Sequence, residues 1–378
     1  MRFLHLSDLH IGKRVNGFSM LEDQRHILRQ IADLAIAYQV DGILVAGDLY
    51  DKAVPPAEAV GVLDEFFTTV VQSGIPVFAI SGNHDSPERL GFASTLLEDT
   101  GVHLAAQWTP GRPPVILEDA YGKVAVYLLP HLRPALVRHY CPESEVTSYQ
   151  EAVAWALAQW DVDPKRRNVI VAHQFVAGGA TCDSEERSVG GTDKVSGALF
   201  SNFDYVAMGH LHGSQSVGRE SLRYCGSPLK YSISEWRHEK SITLLTLAEK
   251  GNLTIEMLPL EPLRDLREIC GSYEEVTARA FYLGSNMEDY LHVILTDPQD
   301  IPEAVGRLRT IYPNLMKLSY AGRTSMTNGD LPQAECAKAR SPLELFQNFY
   351  QQQNGQPMDQ KQIGYLKNIM ERIWEGTL

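Results

Sequence analysis

The chain has 378 residues, a formal net charge of −13 and an apolar share of 44%. That length predicts two or three domains, and the apolar share is ordinary for a globular protein with a sizeable core. The sequence has no apolar run of about 18 residues and no N-terminal segment typical of a signal peptide, so we expect no membrane span and a cytoplasmic location.

The five cysteines are scattered and form no CxxC pair. This pattern argues against a disulfide framework and against a structural zinc site. The acidic balance argues against a protein that coats nucleic acid without specificity, because such proteins are usually basic. It leaves room for a nuclease in which metal ions or a basic partner contact the phosphates.

The first half of the chain alternates short apolar strands with amphipathic helices. We predict strands at residues 2–7 and 42–48, with a helix at about 20–39 between them that carries an apolar stripe. Pro55 and Pro56 fit the first turn of a second helix that ends near residue 73. Further strands are predicted at residues 76–85, 168–173 and 205–210. This alternation is typical of an α/β sheet whose ligands bind outside the carboxyl ends of the strands.

The last third of the chain has a different pattern. Residues 262–320 read as strand, helix and strand, which predicts a small α+β domain. Residues 321–340 are polar and rich in turn formers, so we predict a linker there. Residues 341–378 predict two amphipathic helices. The four expected parts are therefore 1–261, 262–320, 321–340 and 341–378.

Polar residues follow five of the apolar strands in the order DxH, GD, GNHD, H and GHxH. Their carboxylate, imidazole and amide groups, without thiolate, suit Mn²⁺, Fe²⁺ or Mg²⁺ better than zinc. Any one cluster could be a helix cap, but five after five strands favour a site for two ions roughly 3.5–4 Å apart. In locally extended backbone, Asp8 would point the same way as His10, and His210 the same way as His212, unless a turn intervenes.

The five motifs resemble those of the calcineurin-like metallophosphoesterase superfamily. The resemblance implies a β-sandwich flanked by helices and a two-metal phosphodiesterase activity. It implies that Asp48 bridges the ions and that His84 acts on the substrate phosphate or the leaving oxygen, with Asp85 orienting His84 or its turn. The implied metal ligands are Asp8, His10, Asp48, Asn83, His173, His210 and His212.

Longer segments are similar to the SbcD family in particular, among them HLSDLHIGKR, GNHDSPERL, the stretch at 184–195 and GSPLKYSISE. That likeness spans nearly the whole chain and implies a Mn²⁺-dependent DNA nuclease, with 3′–5′ double-strand exonuclease and single-strand or hairpin endonuclease activity. One departure stands out. Archaeal and eukaryotic relatives typically carry a histidine that supports the catalytic histidine where this chain has Asp51, and a carboxylate could still orient His84.

The resemblance also implies partners: DNA, and a coiled-coil ATPase of the SbcC type in a heterotetramer with two nuclease chains. The sequence has no GxxxxGK[ST] loop of its own. Residues 262–320 resemble the family's DNA-capping domain. Its candidate phosphate contacts are Arg264, Arg267, Arg307, Arg309, Lys317 and Arg323. Apolar residues of the tail could pack on their own domain or on the coiled coil: Leu343, Leu345, Phe346, Phe349, Tyr350, Ile363, Leu366, Ile369, Met370 and Ile373.

Two other functions fit the motifs. A phosphodiesterase for small substrates, such as a cyclic-nucleotide esterase, would share the metal motifs, but it would leave the C-terminal third without a purpose. A DNA-end tethering subunit with structural metals would be favoured by a missing ligand. None of the predicted ligands is missing, so the nuclease is the leading prediction.

Overall fold

The computed structural model describes residues 1–185, 193–321, 342–354 and 357–374. The strands of these residues are β1 (Arg2–Leu6), β2 (Arg14–Val15), β3 (Phe18–Ser19), β4 (Gly42–Ala46), β5 (Val77–Ile80), β6 (Val102–Ala105), β7 (Val115–Asp119), β8 (Gly122–Leu129), β9 (Arg167–His173), β10 (Phe175–Val176), β11 (Lys194–Val195), β12 (Tyr205–Gly209), β13 (Gln215–Val217), β14 (Arg219–Tyr224), β15 (Ser241–Leu247), β16 (Leu253–Pro259), β17 (Leu266–Gly271), β18 (Tyr290–Leu295) and β19 (Leu315–Tyr320).

The α-helices of the same residues are α1 (Leu21–Ala37), α2 (Ala57–Gln72), α3 (Pro87–Leu90), α4 (Ser94–Glu98), α5 (Pro134–Tyr140), α6 (Tyr149–Ala158), α7 (Tyr273–Thr277), α8 (Arg279–Tyr282), α9 (Ala304–Arg309), α10 (Pro342–Asn354) and α11 (Gln360–Trp374). Short 3₁₀ turns lie at Gly197–Phe200 and Ile233–Glu235. None of the helices in the described part of the chain has the length and apolar content needed to cross a membrane.

Two six-stranded sheets form the main body. The first has the order β16-β15-β1-β4-β5-β6, and the second has the order β13-β14-β12-β9-β8-β7. In each sheet four neighbouring strands are parallel: β1, β4, β5 and β6 in the first, and β14, β12, β9 and β8 in the second. Their carboxyl ends therefore gather at one edge of each sheet.

The two sheets pack face to face through an apolar layer. Phe3, Leu44 and Phe78 of the first sheet meet Val169 and Tyr205 of the second in one buried cluster. Every residue of β4 is buried, as expected for a strand covered on both faces.

Helices cover the outer faces of both sheets. The apolar stripe of α1, with Ile27 and Ile31, packs with Val62 and Phe66 of α2 against the first sheet. Ala152 and other residues of α6 pack against the second sheet. The result is a four-layered β-sandwich flanked by helices, which confirms the predicted fold class. The strand ends that carry the five motifs come from both of the stacked sheets.

Strands β17, β18 and β19 form a separate parallel sheet, which we call the cap together with α7, α8 and α9. Its small core includes Val276, Leu291, Leu308 and Tyr312. The sequence predicted β18, α9 and β19 but missed β17, α7 and α8, which precede them. The tail holds the two expected helices, α10 and α11. Residues 322–341, which include most of the expected linker and Arg323, lie outside the described residues. So do residues 186–192.

Candidate metal centre

The five polar clusters meet at the carboxyl ends of the parallel strands of both sheets. Asp8 and His10 follow β1, Asp48 follows β4, and Asn83 follows β5. The second sheet contributes the last residue of β9 and the turn after β12. We call the seven predicted ligands the metal centre: Asp8, His10, Asp48, Asn83, His173, His210 and His212. All are buried except Asn83, which is half-buried.

The backbone at the metal centre is strained. Asp8, His10, Asp48 and His210 have φ values of 53°, 43°, 50° and 106°. Such conformations cost of the order of 1–3 kcal/mol each in a non-glycine residue and gather at functional sites. Backbone hydrogen bonds hold them: Asp8 N–H donates to Gly47 O at 3.1 Å, and His10 N–H donates to Asp48 O at 2.9 Å. Turns, not extended backbone, therefore bring Asp8 and His10 to the site.

Two glycines make room for this close approach. A Cβ atom at Gly82 would overlap the Asp48 carboxylate, and one at Gly209 would overlap the carbonyl oxygen of Ala46. Gly209 ends β12 in the second sheet, while Ala46 ends β4 in the first. The glycine of the GHxH motif is thus needed where the two sheets come closest, beside the metal centre.

One half of the metal centre consists of Asp8, His10 and His212, whose ligand atoms lie within 4.8 Å of one another. His10 Nε2 lies 3.1 Å from His212 Nε2 and 3.7 Å from Asp48 Oδ2. His10 Nδ1 is buried and has no hydrogen-bond partner among the described residues. Two imidazole nitrogens that face each other at this distance, next to a carboxylate, suit a shared cation.

The other half lies on the far side of Asp48. The same Asp48 Oδ2 atom is 3.4 Å from His173 Nε2. The Asn83 side-chain oxygen lies 3.0 Å from His173 Nε2 and 3.1 Å from His210 Nδ1. His173 Nδ1 donates to Ala46 O at 2.8 Å, which leaves Nε2 as the ligand atom. Asp48 therefore lies between the two halves, as a bridging ligand must.

Burial and neighbouring charges together shift the pKa values of the histidines and carboxylates of the metal centre. Burial lowers the pKa of His10 well below its usual value and that of His210 to about 3, so both are neutral, the form that binds metals. Burial also lowers the pKa of His173, but Asp48, Asp8 and the hydrogen bond to the Ala46 carbonyl together outweigh burial and raise that pKa to about 9. Burial raises the pKa of Asp8. The buried carboxylates thus draw positive charge to the site, which a divalent ion would supply.

His84 lies at the edge of this group. Its ring centroid is 4.7 Å from that of His10, and its backbone N–H donates to Asp48 Oδ1 at 2.9 Å. Its Nδ1 donates to the backbone carbonyl of Asp51 at 3.1 Å. The Asp51 carboxylate instead binds Lys13 Nζ at 2.7 Å. From the sequence we expected the Asp51 carboxylate to orient His84. In the structure it is the backbone carbonyl of Asp51 that contacts the His84 ring.

Asp85 binds the backbone of the turns around the site. Its carboxylate accepts from Leu49 N–H at 3.1 Å, Tyr50 N–H at 2.9 Å and Gly82 N–H at 2.9 Å. Burial raises its pKa to about 6. These bonds join the turn after β4 to the turn after β5. Of the two roles expected for Asp85, orienting His84 or orienting its turn, they favour the second.

Two segments of the chain match family models. Residues 1–214 match the family model described as calcineurin-like phosphoesterase, which is more than half of the chain. Residues 262–354 match the model described as Type 5 capsule protein repressor C-terminal domain. The SbcD component of the nuclease SbcCD from Staphylococcus epidermidis is 32% identical over 377 residues, which cover 99% of this chain and 99% of that protein.

The chain belongs to the SbcD family of calcineurin-like phosphoesterases. Two solved structures are more distant. TT1561 of Thermus thermophilus is 16% identical with a TM-score of 0.38, and the match covers 68% of this chain and 98% of that one. A dimetal phosphatase from Danio rerio is 12% identical with a TM-score of 0.40, and the match covers 70% of this chain and 98% of that one.

Not every cation expected to contact phosphate is available in this SbcD-family chain. Arg264 forms ion pairs with Asp23 at 2.8 Å and Glu22 at 2.5 Å. Arg267 pairs with Asp289 at 2.6 Å. These two arginines hold protein carboxylates, so the expectation that they contact DNA loses support. Arg307 and Lys317 are exposed and stay predicted contacts.

Several residues that surround the metal centre had no role predicted from the sequence. Ser184, Glu235 and Lys240 lie behind His212. Gln24 of α1 donates to His10 O at 2.7 Å and accepts from Gly12 N–H at 2.9 Å, so it holds the turn after β1. Ser184 and Glu235 lie in segments that carried the family resemblance, which was the one available signal.

Proposed function

We propose that the chain is the DNA nuclease subunit of an SbcCD complex and hydrolyses phosphodiester bonds with two divalent ions, for which we propose Mn²⁺. The observation that carries this proposal is the position of Asp48 Oδ2, 3.7 Å from His10 and 3.4 Å from His173, between two sets of ligands. The hard oxygen and imidazole donors fit Mn²⁺, Mg²⁺ or Fe²⁺.

The chain's own residues would share the work as follows. Asp8, His10, Asp48 and His212 would hold one ion, and Asp48, Asn83, His173 and His210 the other. The ions, when bound, supply Lewis acidity that polarises the phosphodiester and lowers the pKa of water.

His84 would act on the substrate. The Asp51 carbonyl only accepts hydrogen bonds, so His84 Nδ1 carries a proton. A second proton on Nε2 could then be donated to the substrate phosphate or the leaving oxygen. Asp51 would act through its backbone, and Asp85 through the turn that carries His84.

The C-terminal third favours DNA over a small substrate. We propose residues 1–261 as the nuclease domain, 262–320 as the DNA-capping domain, 321–340 as a linker and 341–378 as the segment that binds an SbcC-type ATPase. Phe346 and Phe349 of α10 are 40% and 51% exposed, and Tyr365 of α11 is 72% exposed. Apolar side chains at this exposure suit a partner helix. The assembly would contain two copies of each chain in the cytoplasm.

The test is cleavage of end-labelled linear and hairpin DNA by the purified chain in Mn²⁺, with a simple phosphodiester as a second substrate. The variants are Asp48→Asn and His84→Ala. Asp161→Asn and His139→Ala are matched controls, because both residues are exposed and distant in sequence from the metal centre. We expect the site variants to lose DNA cleavage and the controls to retain it.

The other outcomes favour other functions. Cleavage of the simple diester without cleavage of DNA would support the small-substrate enzyme. If DNA stays intact even with the coiled-coil ATPase added, the tethering subunit becomes the better account. Analysis of the labelled ends reports the polarity of digestion, for which we propose 3′–5′.

A further inference from the structure

A buried chain of polar groups lies behind His212, on the side opposite to the metal centre. His212 Nδ1 is 2.7 Å from Ser184 Oγ, which is 2.5 Å from Glu235 Oε1. The second oxygen of Glu235 accepts from Lys240 Nζ at 2.6 Å. Glu235 is fully buried and His212 is 2% exposed. His212, Ser184, Glu235 and Lys240 therefore form a continuous hydrogen-bonded chain, in which His212 and Glu235 are buried and Ser184 is half-buried.

The chemistry of these groups fixes the direction of each hydrogen bond. An ionised carboxylate only accepts, and an ammonium group only donates. With Glu235 ionised beside Lys240, the Ser184 hydroxyl must donate to Glu235. Its oxygen then accepts from His212, so the proton of the neutral imidazole lies on Nδ1. The other ring nitrogen, Nε2, is left as a lone pair 3.1 Å from His10 Nε2, inside the metal centre.

Lys240, together with Glu185, also holds the backbone of His212. Lys240 Nζ donates to His212 O at 3.0 Å and to Ser227 Oγ at 2.8 Å. Glu185 Oε1 accepts from His212 N–H at 2.7 Å. Ring and main chain of this one residue are thus fixed by one network. The opposite charges of Glu235 and Lys240 compensate each other, which makes their burial tolerable.

We propose that Ser184, Glu235 and Lys240 are positioning residues that hold His212 as a metal ligand, with its proton on Nδ1 and Nε2 directed into the metal centre. The inference rests on the proposed two-metal site, and it adds residues to which no role had been given. Groups that orient a ligating histidine typically change metal affinity by about 10–100-fold when they are removed. We expect the loss of metal affinity at the ion that His10 and His212 would hold.

The test is titration of the metal-free, full-length chain with Mn²⁺ by isothermal calorimetry. We expect Ser184→Ala to weaken one of the two binding steps by about 10–100-fold and to leave the other within about twofold. Ser184→Thr keeps the hydroxyl and should restore the weakened step. Glu235→Gln should resemble Ser184→Ala.

A matched control lies at the far end of the sandwich. Asp119 pairs with Arg167, whose side chain is 3% exposed, in an ion pair remote from the metal centre. Asp119→Asn removes one partner of a buried arginine, so it should lower stability and leave both Mn²⁺ steps unchanged. That contrast separates positioning of His212 from general destabilisation.

A spectroscopic measurement gives a second readout. In the ¹⁵N NMR spectrum of the metal-free chain, we expect His212 with a protonated Nδ1, and a mixture of tautomers in Ser184→Ala. Unchanged Mn²⁺ affinity in both Ser184→Ala and Glu235→Gln would overturn the proposal, as would His212 protonated on Nε2. The titration contains no DNA, so a failure of the proposed nuclease activity leaves its result unaffected.

Discussion

At the scale of single residues, the metal centre separates the groups that would hold ions from the group that would act on the substrate. Asp48 contacts both sets of histidines, whereas His84 is fixed through its own backbone and the carbonyl of Asp51. A ligand atom of His84 does lie within 4.8 Å of His10 and Asp48, so the geometry alone would also allow it to bind an ion. Its role in the reaction can be separated from that alternative by experiment.

We expect His84→Ala to lower the rate of DNA cleavage by about 10²–10⁴-fold while Mn²⁺ affinity stays within about twofold, because general acids contribute that much to a rate. Single-turnover cleavage at saturating Mn²⁺, together with calorimetry, measures both quantities. His10→Ala is the matched comparison and should lose Mn²⁺ affinity as well. A large loss of affinity in His84→Ala would make His84 a ligand.

That the seven residues of the metal centre meet was predictable from sequence because the motifs follow or end apolar strands and keep a fixed order. The support behind His212 was not predictable. Ser184 and Glu235 are 51 residues apart and meet only in the folded chain. The left-handed backbone of Asp8 and His10 was also missed, because nothing in a DxH motif distinguishes an extended strand from a turn.

At the scale of elements, local signals set where helices begin. Ser148 and Glu151 form a capping box at the start of α6. Glu151 accepts from Thr147 N–H at 2.8 Å and Ser148 N–H at 3.0 Å, and these backbone hydrogen bonds lower its pKa from 4.5 to about 2. Strand β17 and helices α7 and α8 escaped prediction because their apolar residues are few and are interrupted by charges.

The capping box gives a pH-dependent contribution to stability. Because the folded-state pKa of Glu151 lies below its unfolded value, the contribution is complete above about pH 4.5 and is lost as the pH falls towards 2. We therefore expect Glu151→Gln to lower the melting temperature at pH 7 and to differ less from the original chain at pH 3.5. Glu145→Gln in the preceding loop, an exposed carboxyl outside the box, is the comparison. An equal difference at both pH values would contradict the assignment.

At the scale of the whole molecule, apolar and polar contacts join the cap to the main body. Leu266 and Tyr290 of the cap belong to the buried apolar cluster of the first sheet. Asp23 of α1 is fully buried and accepts from Arg264 at 2.8 Å and from the Tyr290 hydroxyl at 2.8 Å. The next residue along α1, Gln24, holds the turn that carries His10. One helical turn thus contacts both the cap and the metal centre, so the position of the cap is tied to that of the site.

We expect Arg264→Met to lower the free energy of unfolding by about 1–3 kcal/mol, because the buried Asp23 carboxylate then loses one of its hydrogen-bond donors. Amide exchange at residues 261–266 should quicken. Arg267→Met removes an ion pair inside the cap, with Asp289, from a side chain that is 32% exposed. It should cost less, about 1 kcal/mol at most, and leave exchange at 261–266 unchanged. Equal effects of both variants would show that Asp23 does not anchor the cap.

The pairing of β1 with β15 also bears on how the protein is made. The first strand leaves the ribosome early, but its antiparallel neighbour, residues 241–247, is translated long afterwards. His210, His212 and Lys240 belong to the same late stretch. A nascent chain therefore carries no complete set of the predicted ligands until most of it has been synthesised, and a message truncated before codon 210 yields a product that lacks His210 and His212. The topology itself thus delays the appearance of a DNA-cutting activity until translation is well advanced.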